Sequence, residues 1–348
     1  MPRIPILPIL SLGAILASTT VLSQPASPQH AEKPAWVPPG TPGSGIDGTT
    51  FHAQVLLNAA GFSTGVIDGK DGMVVKAAIR GFQQSQGIEA TGELDPGTRR
   101  ALLQSNRSST VTVRLSQSDL SGDYVFPLPK KPEAQAKLPR LGYRNMLEEL
   151  AERYHTTPDT IIALNGPAAL IGIGQTLRLP NVVPTSSDFQ GSELKDEYRA
   201  LMMRLNVDAN EPTGDHIVID KSEGLLKVLN GDRLVAQFPV TTGSEHDPLP
   251  LGTWKVTTYA YDPPFHYQPD LFWDVDDSKD EKKLPPGPNG PVGVAWLDLT
   301  KEHYGIHGTP EPQTIGRSES HGCIRMTNWD VLRLSRMLKP GFKAVFQA

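Results

Sequence analysis

One cysteine, Cys323, stands in 348 residues. A disulfide framework within the chain is therefore excluded, and stability has to come from packed cores. No block of like charge is present either. Lys and Arg (33) and Asp and Glu (38) are mixed along the chain, for a net charge of −5. That argues against nucleic acid or an anionic membrane surface as the main partner. Beyond the N-terminus no run is apolar enough to cross a bilayer, which needs ~20 apolar residues. Glycine and proline are plentiful, 32 each, which points to many turns and linkers.

The N-terminus reads "MPRIPILPILSLGAILASTTVLSQPASPQHAEKP". Arg3 supplies a short positive start, an apolar run extends from Ile4 to about Leu22, and Val21-Leu22-Ser23 forms a cleavage box. This is the layout of a secretory signal peptide over 1–23, and export to the periplasm or cell envelope is expected. The competing reading is a retained anchor, which Pro5 and Pro8 weaken by breaking the run. Once the signal is cleaved, no stable membrane insertion is expected. Residues 24–46 are rich in Pro, Gly and Ser and read as a linker.

Three segments follow. Residues 47–105 show helical periodicity in "TTFHAQVLLNAAGF", with Phe51, Val55, Leu56 and Ala59 on one face. A second helix is expected through Val75, Ile79 and Phe82, and a third opens with Asp95 as N-cap and Pro96 in its first turn. Residues 106–184 give helix, helix and strand: "NMLEELAERYH", "TTPDTIIALNG" with Thr157 as cap, and "GQTLRLPNV". Residues 185–212 read as a polar joint with one helix-like stretch. From 213 to 348 strands dominate, with an Asn230-Gly231 hairpin turn and one late helix capped by Asn328.

Chemistry concentrates around Cys323. It follows His321-Gly322, and a second His-Gly pair, His307-Gly308, ends the strand-like "YGIHG". A thiol with imidazoles nearby is a candidate nucleophile, because the thiolate is the reactive form and a histidine can take its proton. Glycine before the nucleophile lets backbone amides approach a substrate carbonyl. Two other readings compete: a small buried hydrophobe, and a zinc site with His303, His307 and His321. Residues 303 and 307 would stand ~13 Å apart on a strand, too far to share one ion. These residues alone leave open whether His307 or His321 is the base.

"YGIHGTPEPQTIGRSESHGCIRMTNWDVLRL" resembles the signature of the L,D-transpeptidase catalytic domain: a His-Gly, a gap, then Ser-His-Gly-Cys, an apolar residue and Arg. The match extends over most of 213–348 and departs from the family at "DPLPLGTW", where Thr-Pro is usual. "LLNAAGFSTGVIDGKDGMVVKAAIRGFQQSQGIEATGELDPGTRRAL" resembles the peptidoglycan-binding-type three-helix module, and the 106–184 segment resembles a LysM-type module without a recognisable first strand. The expected architecture is thus multi-domain: an all-α three-helix module, a small α/β LysM-like module and a mainly β catalytic domain.

The resemblance implies Cys323 as nucleophile and His307 as general base, with the Gly308 carbonyl orienting that imidazole. His321 would assist near the thiol, and amides around Gly322 and Cys323 would form an oxyanion hole. Ser320 and Arg325 would contact substrate. It further implies peptidoglycan stem peptides as donor and acceptor, sensitivity to carbapenem-type β-lactams, and no metal or organic cofactor. An L,D-carboxypeptidase or wall-link hydrolase would use the same site, and a wall-binding protein with a vestigial catalytic fold is the rival of another class. A solitary cysteine suits an exported thiol enzyme, since no second one exists to cap it.

Overall fold

The computed structural model describes residues 44, 46–189, 194–268, 280–320 and 322–348. The described residues all belong to one compact unit. The expected signal peptide (1–23), most of the expected linker (24–46) and His321 lie outside the described residues.

Helices α1 (Gly48–Ala59), α2 (Met73–Ser85) and α3 (Pro96–Leu103) form the N-terminal bundle. Asp95 caps α3 as expected, its Oδ1 accepting from the N–H groups of Gly97 (2.8 Å) and Thr98 (3.0 Å). The bundle core of Leu56, Leu57, Phe62, Val75, Ile79, Phe82 and Leu102 also takes in Leu234, from a strand of the C-terminal sheet. The other face of α1 places Phe51 and Val55 in a second core with Leu115, Leu150, Ile161, Leu177 and Leu179. The bundle therefore closes its apolar faces only against the rest of the chain.

The next segment comprises β1 (Thr110–Arg114), the short α4 (Pro132–Gln135), α5 (Met146–Arg153), α6 (Pro158–Asn165) and β2 (Thr176–Pro180). β1 pairs antiparallel with β2, from Thr110↔Pro180 to Arg114↔Thr176. This supplies the first strand that the sequence pattern left out. "TVTVR" has the alternation of a strand, but its partner comes only after three helices, so nothing local announces the pairing. The segment expected as a joint, 185–212, is folded too: α7 (Asp196–Arg204) and the residues around it place Phe189, Met202, Leu205 and Val207 in the C-terminal core.

The C-terminal strands are β3 (His216–Asp220), β4 (Leu225–Asn230), β5 (Arg233–Pro239), β6 (Gly252–Tyr261), β7 (Phe265–Tyr267), β8 (Lys282–Leu284), β9 (Ala295–Leu299), β10 (Gly305–His307), β11 (Ile324–Arg325) and β12 (Lys343–Gln347). Eight of them form one sheet in the order β11-β10-β9-β6-β12-β3-β4-β5. Gly231, at φ 58°, makes the expected hairpin between β4 and β5. The sheet curls until its ends meet. Just past β5, Thr241 exchanges backbone hydrogen bonds with Arg325 of β11, at 3.0 and 2.9 Å.

Helix α8 (Asn328–Met337) follows β11 and is buried on nearly every side. Its N-cap is Thr327, whose Oγ1 accepts from the Asp330 N–H at 3.2 Å, so the cap lies one residue before the expected Asn328. A helix buried all round must pair its polar groups. Arg333 does so with Glu211 (Nε to Oε1, 2.6 Å) and with Asn58 of α1 (Nη1 to Oδ1, 3.0 Å; Nη2 to O, 2.9 Å). Asp330 accepts from Ser63 Oγ at 2.7 Å. Edge strand β5 is covered by the bundle as well: Gln237 bonds to the backbone of Gly61 and Ser63, and its Nε2 donates to Ala77 O at 2.9 Å.

Another buried polar group ties α5 to α8. Glu152 accepts from Asn328 Nδ2 at 2.8 Å and from the Tyr143 hydroxyl at 3.1 Å. Burial pushes its carboxyl up to about 8, against the lowering effect of those hydrogen bonds. Between the ordinary value of 4.5 and about 8 the folded chain thus holds a proton that the unfolded chain has lost. Stability from this group is full below the lower value and is lost as pH rises through the upper one. Glu152→Gln cannot titrate, so its stability relative to wild type should climb by ~1.4 kcal/mol per pH unit across that window. Urea denaturation of both proteins from pH 5 to 8 measures it; a constant difference would show that Glu152 ionises normally.

Candidate functional site at the seam of the sheet

The two short strands β10 and β11 run parallel, with Ile306 opposite Ile324 and His307 opposite Arg325. Continuing that register by one residue sets Cys323 beside Gly305. Paired residues of neighbouring strands face the same side, so Arg325 and His307 do, and Cys323 lies one residue before β11. One strand over and two residues back places the Cα atoms of His307 and Cys323 about 8 Å apart. The structure thus brings together two of the residues that the sequence singled out.

His307 is buried and held on two sides. Its Nδ1 lies 2.7 Å from the Gly308 carbonyl oxygen, which can only accept, so Nδ1 carries the proton and Nε2 has the free lone pair. Its ring stacks on Trp296, centroids 5.4 Å apart at 15°. Burial drives the imidazole down to about 4, with nearby Arg325 lowering it further and the Gly308 bond opposing. At neutral pH His307 is an uncharged base with a fixed tautomer.

The Cys323 thiol is held above its ordinary range, chiefly by burial. A backbone hydrogen bond from Gly305 and the Arg325 charge favour the thiolate, while Asp247 opposes it. The sulfur donates to the His303 carbonyl oxygen at 3.6 Å. A standing thiolate is therefore disfavoured, and ionisation needs a base. His303 sits in a turn at φ 65°, ahead of the strand on which it was expected, and its ring is exposed.

The loop around the thiol is built to close tolerances. Gly322 has φ +96°, and a Cβ there would stand 2.8 Å from the Tyr304 ring. A Cβ on Gly308 would lie 2.2 Å from Asn328 Oδ1. Ser320, expected to contact substrate, instead commits its hydroxyl to the Cys323 carbonyl oxygen at 2.5 Å. Its backbone joins the loop after β5, with Ser320 N to Thr242 O at 3.0 Å and Ser244 N to Ser320 O at 3.1 Å. Arg325 is half-buried, with Cys323 and Glu311 acting on its charge. From sequence, Trp296, Tyr304, Asp247 and Asn328 have no expected part in this site, although Tyr304 opens "YGIHG", Asp247 opens "DPLPLGTW" and Asn328 was expected only as a helix cap.

Residues 214–346 match the L,D-transpeptidase catalytic domain, and residues 51–102 match the "Putative peptidoglycan binding domain". The family match is thus confined to the C-terminal segment, and the module match to the N-terminal one. Among curated relatives, the "Putative L,D-transpeptidase YkuD" of Bacillus licheniformis is 33% identical over 125 residues, 36% of this chain and 61% of that protein. The protein of the same name from Bacillus subtilis is 54% identical over 54 residues, 16% of this chain and 33% of its own. The chain thus spans less than two thirds of either relative. Among solved structures, an L,D-transpeptidase from Mycobacterium smegmatis aligns at TM-score 0.31 and 20% identity, covering 38% of this chain and 58% of that one. The two matched segments share one chain, and the 106–184 segment expected as LysM-like lies between them.

Proposed function

We propose that this protein is an exported cell-wall enzyme that crosslinks peptidoglycan through an acyl-enzyme on Cys323. The observation that carries the reading is His307, a neutral buried imidazole with its free Nε2, on the strand paired with the one that directly follows the chain's sole thiol. In the first half-reaction the Cys323 proton passes to His307 Nε2. The sulfur attacks the carbonyl carbon of the residue that carries the terminal D-alanine of a donor stem. The C–N bond breaks, D-alanine leaves with the proton from His307, and a thioester remains. In the second, an amine on an acceptor stem attacks the thioester and gives a proton to His307. The C–S bond then breaks, and that proton returns to sulfur. Amides around Gly322 and Cys323 hold the oxyanion in both halves.

Arg325, charged and beside the thiol, suits a stem carboxylate. His321 assists near the sulfur, and Ser320 braces the nucleophile's own carbonyl. Residues 51–102 hold the enzyme on the wall, carbapenems acylate Cys323, and the N-terminal segment 1–23 directs export. No metal or organic cofactor enters the steps. Mass spectrometry of muropeptides after incubation of the mature chain with tetrapeptide stems tests the reading. Crosslinked dimers that have lost one D-alanine are expected. Trimmed monomers alone would make water the acceptor, and unchanged stems would sink the assignment.

A further inference from the structure

The α5 helix lies outside the 214–346 family match, yet its Glu152 is hydrogen-bonded to a side chain that packs on Gly308. Asn328 Nδ2 donates to Glu152 Oε1 at 2.8 Å and to Pro288 O at 3.2 Å, while Asn328 Oδ1 accepts from the Val294 N–H at 3.2 Å. Both N–H groups and the carbonyl of this side chain are thereby engaged, which fixes its rotamer. Its Oδ1 rests directly on two glycines: a Cβ would come within 1.9 Å at Gly293 and 2.2 Å at Gly308. The carbonyl of that same Gly308 receives the His307 Nδ1 proton.

The far end of the network is equally anchored. Tyr143 holds the second Glu152 oxygen, and the chain before it wraps the 286–290 turn that carries Pro288. Leu141 N donates to Pro286 O at 2.8 Å, Asn289 N to Leu141 O at 3.0 Å, and Asn289 Nδ2 to Gly142 O at 2.8 Å. A Cβ on Gly287 would fall 2.3 Å from Leu141 O, so no space separates the two segments.

We propose that Glu152 and Asn328 are positioning residues for His307. Through the Gly308 peptide they hold the imidazole in its Nδ1–H tautomer, which makes the 106–184 segment part of the catalytic apparatus. This rests on the roles of Cys323 and His307 proposed above. Because burial keeps Glu152 protonated up to about 8, it adds no buried charge near the imidazole at neutral pH. Its carbonyl oxygen can take the Asn328 proton while its hydroxyl pairs with Tyr143, and a glutamine can do the same.

The test uses three full-length variants, Glu152→Gln, Glu152→Leu and Asn328→Ser, with carbapenem acylation rates across pH and the 15N spectrum of the His307 ring. Glu152→Gln should keep the wild-type rate and tautomer. Glu152→Leu and Asn328→Ser should slow acylation at saturation by roughly 10²-fold with half-saturation unchanged, as misplacement of a reacting group does. Their His307 rings should lose the single Nδ1–H pattern. If Glu152→Leu does not fold, Asn328→Ser against Glu152→Gln decides. Wild-type rate and tautomer in a folded Glu152→Leu or Asn328→Ser would overturn the coupling, as would a loss confined to half-saturation. Failure of the wild type itself to label at Cys323 would instead remove the functional reading beneath it.

Discussion

Cys323→Ala should fold normally and take up no carbapenem at all. The sulfur takes with it the long 3.6 Å bond to His303 O and the backbone bond from Gly305, and the side chain is already half-buried rather than at the centre of the core. The expected loss of stability is about 1 kcal/mol, in the middle of the range for point changes. The chemical effect is total for a different reason. No other thiol exists in the chain, and the neighbouring Ser320 hydroxyl donates to the Cys323 carbonyl. A structure in which the thiol is held above its ordinary range needs His307 to ionise it, and His307 has nothing to deprotonate once the sulfur is gone. Intact mass after incubation with a carbapenem should show only the unmodified alanine variant, against a complete adduct on wild type. Adduct on the variant at the wild-type yield would place the nucleophile elsewhere, and thermal unfolding of both guards against a misfolded variant.

The readable part of this site was contiguous in sequence. Cys323, Gly322 and the His307-Gly308 pair sit in short runs whose residue types announce thiol chemistry, and the two runs become adjacent strands. What stayed hidden depends on non-local packing. Asn328 looked like an ordinary helix cap, because a Thr-Asn pair before an apolar run fits either residue as the cap. Thr327 takes the cap and leaves the Asn328 amide for Glu152, Pro288 and the Val294 N–H, packed on Gly308. β1 was missed because its partner is β2, beyond three helices. The joint at 185–212 looked polar because the residues that enter the core, Phe189, Met202, Leu205 and Val207, are spaced among charged ones. The residues alone left His307 and His321 unranked; the carbonyl contact of His307 comes from the folded backbone, and His321 lies outside the described residues.

The three-helix module suggests a detachable wall anchor, and the packing predicts the opposite. A chain that begins at residue 106 should fail to fold cooperatively. Its removal takes the Asn58 oxygens from Arg333, which keeps Glu211, and the Ser63 hydroxyl from Asp330. Each lost hydrogen bond to a charged group costs about 1.5–3 kcal/mol. The same cut strips Phe62 and Phe82 from Leu234, opens the second core at Phe51 and Val55, and bares the β5 edge now bonded to Gly61 and Ser63. An uncovered edge strand also invites pairing between chains. The summed loss reaches the whole stability of an ordinary domain, about 5–15 kcal/mol. Near-UV circular dichroism and size-exclusion chromatography should show a loosely packed or aggregated product without carbapenem acylation. A monomeric truncated chain with the wild-type melting temperature and acylation rate would mean that the module is a separable bead. Wall retention is accordingly better probed by substitutions on the exposed face of the module in the full chain, where Arg333 keeps its partners and the thiol its support.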